Sequence, residues 1–369
     1  MRRPVILFLA FSVLAGAVER RARNVILFLG DAGGIPTLNA ASLYRYNEPQ
    51  KLFIQSMPHV GLMDTSAADV WVTDSAAGMT AIVTGQKTNN GVISQSATAL
   101  RGKKDGEVLK TILEHAEERG LSTGVVSNMS ITDATAAACY AHSNDRKAAG
   151  EIFAQLLAPR FGNGVDVVIG AGRDTVIKAT EKLGLKIESS LRGRGYAVYD
   201  SFDAVSAREY RIAVLFNTSD FDVWQAVRTA LAILSKNPKG YFLMVEWDMH
   251  TDNLRRGLEQ AAALDAAIGK TAQSVGKDTL ILFAADHSFG VRLRGGKRGE
   301  PILLRPDEAN GAAALSKPNI RVDDGHTGEE VLVAAQGPGA HRVRGFFSNA
   351  ELFRIMMAAY GWEMPRRQQ

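Results

Sequence analysis

The stretch NVILFLG at residues 24–30, followed directly by DAGG at residues 31–34, is the part of this sequence that decides its fold. A continuous apolar run that ends in glycine is typical of a strand buried on both faces of a parallel sheet. Similar apolar runs recur at residues 124–127, 165–170, 212–216, 241–245 and 279–284. Segments with helical spacing separate these runs. This alternation predicts an α/β fold, a three-layer α/β/α sandwich with a central, mostly parallel sheet.

Several other segments carry local signals of their own. We predict further strands at residues 59–63 and 330–335, and strand character at residues 70–72. Helices are predicted at residues 75–84, 107–119, 146–157, 221–234, 254–274 and 350–360. The polar stretches 86–106 and 288–327 are predicted to be loops, the first of them on the surface. Because no repeat or linker interrupts residues 24–362, we predict a single domain over residues 18–369.

The amino terminus has the pattern of a removable signal peptide at residues 1–17. Arg2 and Arg3 form a basic start, residues 5–14 are apolar, and residues 15–17 are the small residues of a cleavage site. The apolar part is too short to span a bilayer comfortably, and no later stretch has transmembrane character. For residues 1–17, the alternatives to a signal peptide are an uncleaved anchor or a buried strand. From the signal-peptide pattern we expect a periplasmic or secreted protein without stable membrane insertion.

Composition and charge exclude some classes of function. The chain has 43 Lys and Arg against 39 Asp and Glu, a net charge of +4. Loss of Arg2 and Arg3 would reduce this to about +2, too small an excess to favour specific nucleic-acid binding. Cys139 is the only cysteine, which rules out an intrachain disulfide and a thiolate metal cluster. Any metal site must therefore use His, Asp, Glu and hydroxyl oxygen.

The segment DSAAGMT at residues 74–80 places Ser75 at the start of a predicted helix. The first backbone N–H groups of a helix lack partners inside the helix, and the helix dipole is positive at that end. A phosphate or other anion can therefore bind beside Ser75. The small residues at 76–78 leave space for a close approach. The alternative is that Asp74 or Ser75 serves only as the helix N-cap.

Polar side chains recur at the ends of the predicted strands. They are Asp31, Ser75, Asp133, Thr135, Glu246, Asp248, Asp286 and His287, with His326 shortly before the last strand. The carboxyl ends of parallel strands share one edge, so these side chains can converge there. Several carboxylates in one place repel each other unless cations neutralise them. Carboxylate and imidazole suit zinc, and oxygen ligands alone suit magnesium.

Each of these residues also has a simpler explanation when taken singly. Asp286 and His287 can be a helix cap and a surface histidine. His326 can be a loop histidine, and Arg146 an ordinary charge on a helix surface. Glu246 is harder to explain away, because a lone carboxylate after five apolar residues is costly to bury. Taken together, a serine at a helix start, metal ligands and an arginine for a dianion describe phosphoryl transfer.

The chain after its amino terminus resembles the alkaline phosphatase family over most of its length. The most specific match is DSAA at residues 74–77 with Thr80, which resembles the nucleophile signature of that family. A second block runs from Asp133 through YAH at residues 140–142 to Arg146. The resemblance implies that Arg146 binds the phosphate. Asp133 is expected to orient Arg146 or to hold a water molecule on magnesium.

The resemblance also implies the metal ligands. Magnesium is assigned to Asp31, Thr135 and Glu246, and the zinc that activates the serine to Asp31, Asp286 and His287. Aspartate usually follows that glutamate by five positions, with histidine four further on, but here Thr251 and Arg255 occupy those positions. We expect Asp248 and His250 to complete the other zinc site with His326, on a shorter loop. In an extended segment an i, i+2 pair projects to one side. Asp252 is the spare candidate.

The function implied is hydrolysis of phosphate monoesters through a covalent phosphoserine at Ser75, assisted by two zinc ions and one magnesium. A phosphodiesterase or sulfatase of the same superfamily is one alternative. A non-catalytic exported protein that binds phosphate or metal is another. The expected partners are small phosphate monoesters. Because the chain is short for the family, peripheral insertions are expected to be missing, which leaves a homodimer as an open expectation.

Overall fold

The computed structural model describes residues 20–303 and 319–364. Its strands are β1 (Asn24–Asp31), β2 (His59–Asp64), β3 (Ser122–Ser130), β4 (Val167–Ala171), β5 (Ala197–Tyr199), β6 (Ile212–Leu215), β7 (Tyr241–Asp248), β8 (Thr279–Ala284), β9 (Ser288–Leu293), β10 (Ile320–Thr327), β11 (Val331–Gln336) and β12 (Gly345–Ser348). Its α-helices are α1 (Ile35–Tyr46), α2 (Ser75–Thr84), α3 (Ile112–Glu118), α4 (Ala134–Ala137), α5 (Ala149–Leu157), α6 (Arg173–Glu181), α7 (Ile187–Gly193), α8 (Val223–Leu234), α9 (Leu254–Ser274) and α10 (Asn349–Tyr360).

The central sheet has the strand order β12-β2-β11-β8-β1-β7-β3-β4-β6-β5. Every neighbouring pair in it is parallel except those of β11, which is antiparallel to both β2 and β8. Strands β9 and β10 form a separate antiparallel hairpin. The strands that carry the predicted site, β8, β1, β7 and β3, are consecutive in the middle of the sheet. The sheet therefore brings distant parts of the sequence to one edge.

Helices cover both faces of this sheet, and β1 shows how. All eight of its residues are buried, as expected for a central strand with a helical layer on each side. Val25, Leu27 and Leu29 belong to the hydrophobic core that contains α2, α3, α5 and α10. Ile26 and Phe28 belong to the opposite core, which contains α1, α8 and α9. The predicted three-layer α/β/α architecture is confirmed.

Residues 70–72 differ from the predicted strand. They form part of an irregular loop, and Val70, Trp71 and Val72 are 42%, 87% and 40% exposed. The loop backbone is nevertheless tied down, since Ala67 N–H donates to Val70 O at 3.1 Å. Three apolar residues in a row signal burial only on average, because a large share of any protein surface is apolar.

Two predicted helices begin later than expected. The helix predicted from residue 107 begins at Ile112, because Thr111 is its N-cap and forms a capping box with Glu114. The helix predicted from residue 146 begins at Ala149. Arg146 instead lies in an irregular segment and donates its backbone N–H to Gly91 O at 2.8 Å. The other predicted helices agree with the structure to within two residues, and α9 matches in full.

The two long predicted loops also contain more order than expected. Residues 91–95 are buried rather than on the surface. The segment predicted as a loop over residues 288–327 contains the β9–β10 hairpin, and residues 304–318 lie outside the described part of the chain. The predicted signal peptide at residues 1–17 also lies outside it. No helix in the described ranges is both long enough and apolar enough to cross a membrane.

Candidate active site and metal centre

The carboxyl ends of three neighbouring strands bring the predicted acidic residues together. Asp31, the last residue of β1, pairs in register with Asp248 of β7, and Glu246 lies opposite Leu29. Strand β8 ends at Ala284, also opposite Leu29, and Asp286 and His287 follow it. Because parallel strands expose these ends at one edge, residues more than 200 positions apart become neighbours.

The first group of potential metal ligands consists of Asp31, Asp286 and His287, all buried. His287 Nε2 lies 3.4 Å from Asp31 Oδ1 and 3.4 Å from Asp286 Oδ2. Burial lowers the pKa of His287 to about 4, so its imidazole is neutral and its Nε2 lone pair can bind a metal. Its Nδ1 lies 3.1 Å from Ser288 O and donates to that carbonyl. This contact fixes the ring with Nε2 toward the carboxylates.

The second group consists of His250, His287 and His326. The rings of His287 and His326 are stacked with centroids 3.6 Å apart, and the ring of His250 lies 5.6 Å from that of His326. His326 Nδ1 lies 3.0 Å from Thr73 O and donates a hydrogen bond to it. The Nε2 lone pair can therefore bind a metal ion. Three imidazoles gathered beside a carboxylate pair are a donor set that zinc prefers.

Asp248 lies directly beside this group. Its Oδ1 is 2.8 Å from His250 Nδ1 and accepts the His250 backbone N–H at 3.0 Å. Burial opposes ionisation of Asp248, but these bonds from His250 hold its pKa below the ordinary value. The spare candidate Asp252 is exposed. The structure therefore brings Asp248, rather than Asp252, into contact with His250.

The third predicted group, Asp31, Thr135 and Glu246, is buried, and each residue has a buried oxygen without a hydrogen-bond partner in the described part of the chain. Asp31 Oδ1, Thr135 Oγ1 and Glu246 Oε2 have none among the described residues. Burial, and then the charge of Asp133, raise the pKa of Glu246 to about 8. Burial raises the pKa of Asp31 as well, with Asp286 and Glu246 adding to the rise.

These unpartnered oxygens give a test of whether the site fits cations. A buried carboxylate with no partner is costly, and repulsion between neighbouring carboxylates adds to the cost. Divalent cations would remove both penalties at once, and the donors are the carboxylates, hydroxyl and imidazoles that magnesium and zinc accept. The residues present therefore fit a metal centre.

Ser75 stands next to the first group. It is the first residue of α2, and its Oγ lies 3.4 Å from His287 Nε2. Asp74, not Ser75, is the N-cap, since its Oδ1 accepts the Ala77 N–H at 3.0 Å. Gly78 allows α2 to approach this closely, because a Cβ there would lie 2.8 Å from Asp286 O. The hydroxyl of Ser75 is thus free of the capping role and faces the metal-ligand group.

Arg146 is oriented by two carboxylates. Its Nη1 lies 3.1 Å from Asp74 Oδ2 and its Nη2 lies 3.0 Å from Asp133 Oδ1. Burial opposes protonation of Arg146, but Asp133 and Asp74 raise its pKa, so the guanidinium is charged. Sequence reasoning suggested the contact with Asp133. It missed the contact with Asp74, although Asp74 was already marked by its place before Ser75.

Two further neighbours of Asp248 gave no signal in the sequence. Asn128 Oδ1 accepts the Asp248 backbone N–H at 2.8 Å. Arg256 Nη2 lies 3.6 Å from Asp248 Oδ2. The contact with Asn128 depends on packing between β3 and β7, whereas Arg256 reaches back to Asp248 from the first turn of α9. Asn128 thus fixes the backbone of Asp248, and Arg256 lies beside its carboxylate.

The chain is similar to known phosphatases. A family model described as alkaline phosphatase matches residues 22–210 and 217–314. The tissue-nonspecific alkaline phosphatase isozyme of Rattus norvegicus is 28% identical over 439 residues, which cover 92% of this chain and 83% of that protein. Streptomycin-6-phosphate phosphatase of Streptomyces griseus is 28% identical over 425 residues, which cover 92% of this chain and 91% of that protein.

Solved structures support the fold. The alkaline phosphatase of Thermus thermophilus superposes with a TM-score of 0.79 at 21% identity, covering 97% of this chain and 96% of that one. The alkaline phosphatase of the Antarctic bacterium TAB5 superposes with a TM-score of 0.75 at 22% identity, covering 94% of this chain and 100% of that one. The family model spans well over half of the chain. The resemblance noted in the sequence is therefore confirmed, and the chain is a phosphatase that belongs to the alkaline phosphatase family.

Proposed function

We propose that this phosphatase hydrolyses phosphate monoesters in two in-line displacements, with Ser75 as the nucleophile. Ser75 Oγ attacks phosphorus, the bond from phosphorus to the leaving oxygen breaks, and a phosphoserine forms. Water then attacks phosphorus from the same side as the departed group, and the bond to Ser75 Oγ breaks to release phosphate. The observation that carries this proposal is the position of Ser75 Oγ, 3.4 Å from His287 Nε2 at the start of a helix.

Arg146 is proposed to bind two non-bridging oxygens of the phosphoryl group. A guanidinium presents donors in a planar fork that matches such a pair of oxygens. Asp74 and Asp133 hold the guanidinium in place, with each accepting from a different terminal nitrogen. The N-terminal turn of α2 adds its positive dipole on the Ser75 side. Together they favour a phosphoryl group over a neutral substrate.

We propose that Asp31, Asp286 and His287 hold one zinc ion, and that Asp248, His250 and His326 hold a second. Asp31, Thr135 and Glu246 are proposed to hold magnesium. Such cations act as Lewis acids that lower the pKa of a bound hydroxyl or water and stabilise developing negative charge. Support comes from the two ligand groups and the unpartnered oxygens of Asp31, Glu246 and Asp286.

The proposal is tested by turnover of a chromogenic monoester at alkaline pH, with zinc and magnesium, beside a chelator control. Turnover that requires metal and disappears in Ser75→Ala is the expected result. A diester and a sulfate ester are measured in parallel, because a phosphodiesterase or sulfatase would prefer those substrates. Tight phosphate binding without turnover of any ester would instead identify a non-catalytic binding protein.

We also propose export to the periplasm or the medium after removal of residues 1–17. Support comes only from the basic, apolar and small-residue pattern of that segment. The mass of the mature chain recovered from each cell fraction tests the cleavage site and the compartment. A homodimer stays a prediction, and light scattering of the purified protein measures it.

A further inference from the structure

A second group of titratable side chains lies behind the site, between α3 and the segment that leads to Arg146. His142 Nε2 is 2.8 Å from Glu114 Oε1, and the two side chains are only 2% and 4% exposed. His142 Nδ1 is 2.8 Å from Ser94 O. A backbone carbonyl only accepts hydrogen bonds, so Nδ1 carries a proton and donates it to Ser94. Both ring nitrogens are therefore engaged.

The bond between His142 and Glu114 contains one further proton. Glu114 accepts the Thr111 backbone N–H through Oε2 at 2.9 Å, at the N-terminus of α3. Both side chains are thus held by hydrogen bonds at each end of the pair. Such a buried, hydrogen-bonded pair resists displacement, because separating it would leave a buried polar group without a partner.

Ser94 connects this pair to the helix that begins at Ser75. It adopts a φ of +43°, in the left-handed region that residues other than glycine rarely occupy. Its N–H donates to Thr80 Oγ1 of α2 at 2.9 Å, and its hydroxyl donates to Ala138 O at 2.6 Å. Unfavourable backbone conformations persist where the surroundings over-determine them. His142 is part of those surroundings, since it binds the Ser94 carbonyl.

The backbone beyond His142 is hydrogen-bonded to residues 91–94, the buried strip that contains Ser94. Ile93 and Ser143 exchange two backbone hydrogen bonds of 2.8 and 2.9 Å. Arg146 N–H donates to Gly91 O at 2.8 Å. The strip of residues 91–94 therefore lies between α2 on one side and residues 142–146 on the other. Any shift of Ser94 would be passed to the backbone from which the Arg146 side chain extends.

We propose that His142 is a positioning residue for Arg146. By holding Ser94, it fixes the strip that sets the distance between the Ser75 helix and the guanidinium. The side chain of His142 binds Glu114 and Ser94 and not Ser75, Arg146 or the ligand groups, so its effect on phosphate binding passes through Arg146. The inference rests on the proposed role of Arg146 as the phosphate-binding group.

The test is a double-mutant cycle read by the inhibition constant of inorganic phosphate on the metal-loaded, full-length enzyme. The four proteins are the wild type, His142→Gln, Arg146→Ala and the double variant. Glutamine at position 142 can still donate to Glu114 but loses the bond to Ser94 O, which keeps a partner in the Leu109 N–H at 3.0 Å. We expect His142→Gln to weaken phosphate binding about tenfold, as small misplacements of binding groups do. In the Arg146→Ala background we expect a change of less than about twofold.

A rescue variant separates positioning from general destabilisation. Asparagine at position 142 can place its amide where Nδ1 stood and so keep the donor to Ser94. Combined with Glu114→Gln, which leaves no buried carboxylate unpaired, it should restore phosphate binding to near the wild-type value. If His142→Gln fails to fold, Glu114→Gln replaces it in the cycle. We then expect a two- to threefold weakening, again absent without Arg146.

The outcomes separate the two proposals. Equal losses with and without Arg146, no loss in His142→Gln, or no rescue by the asparagine variant would each overturn the positioning role while leaving the Arg146 proposal intact. Unchanged phosphate inhibition in Arg146→Ala alone would instead overturn the phosphate-binding role of Arg146, and the positioning role with it. Zinc content, measured in every variant, should stay at the wild-type value.

Discussion

Gly257 is predicted to be essential for the position of His250. It lies in the first turns of α9, and a Cβ there would lie 2.4 Å from His250 O and 2.8 Å from Thr251 Cγ2. The first of these atoms is backbone, so a side-chain rotation cannot relieve the clash. Gly257→Ala must push the His250 segment away from α9 by about 1 Å to restore an ordinary carbon–oxygen contact of about 3.3 Å. A shift of that size is enough to break the 2.8 Å hydrogen bond between His250 Nδ1 and Asp248 Oδ1.

Gly257→Ala has two opposing effects on stability, whereas its effect on metal binding is in one direction. Alanine in place of a helical glycine stabilises by about 1 kcal/mol, whereas overpacking costs about 1–3 kcal/mol, so the protein should remain folded. Displacing the groups around a metal ligand typically costs about 10–100-fold in affinity. We therefore expect Gly257→Ala to lose about one zinc per chain in dialysis against a chelator, with turnover falling by a similar factor.

Gly269→Ala is the matched control on the same helix. A Cβ there would lie 3.4 Å from Phe53 Cγ, which is an ordinary contact. This variant should keep all its zinc and gain up to about 1 kcal/mol of stability. Zinc content and zinc affinity are measured by mass spectrometry and chelator competition in both variants. If Gly257→Ala binds zinc as tightly as Gly269→Ala, the position of His250 does not depend on Gly257.

Three further predictions concern single side chains. Asp248→Ala should lose about one zinc per chain whereas Asp252→Ala should not, because only Asp248 contacts His250; the reverse result in elemental analysis would move the ligand to Asp252. Arg146→Ala should weaken phosphate inhibition by about 10–100-fold, the effect of losing charge-assisted hydrogen bonds. Arg101→Ala, which removes an arginine that pairs with Asp145, is the control. Equal inhibition constants in the wild type and Arg146→Ala would exclude the phosphate-binding role. Burial raises the pKa of Glu117 from 4.5 to about 8. The folded chain therefore keeps a proton that the unfolded chain releases, and stability falls as pH rises from 4.5 to about 8. Glu117→Gln should remove this loss and should be more stable than the wild type at pH 9 by about 2–4 kcal/mol, measured by urea unfolding. Glu118→Gln, which changes an exposed residue, is the control. If the stability of Glu117→Gln depends on pH as that of the wild type does, Glu117 ionises normally.

The central strands and their polar ends could be predicted because their signal is local. Strand β1 combines an apolar run with a terminal aspartate, and Glu246 follows five apolar residues in β7. Helix α9 was predicted in full because its amphipathic pattern extends over 21 residues. For α3, the capping box of Thr111 and Glu114 was present in the sequence and marks the start that the helical spacing alone placed too early.

The features that could not be predicted depend on contacts between distant elements. The exposure of Trp71 and the burial of residues 91–95 follow from which segments meet. The two carboxylates that hold Arg146 are 72 and 13 positions away from it. Strands β9 and β10 pair across residues 294–319, a connection too long for a tight turn to fix the register. Such pairings are set by packing rather than by local propensity.

The most direct test of the central claim is the site of phosphorylation during turnover. The metal-loaded enzyme is mixed with a monoester, quenched with acid after a few milliseconds, digested and analysed by mass spectrometry. We expect one phosphoryl group, on the peptide that contains Ser75, and none in Ser75→Ala or in enzyme stripped of metal. A phosphoryl group on another residue, or full turnover by Ser75→Ala, would contradict the proposed mechanism.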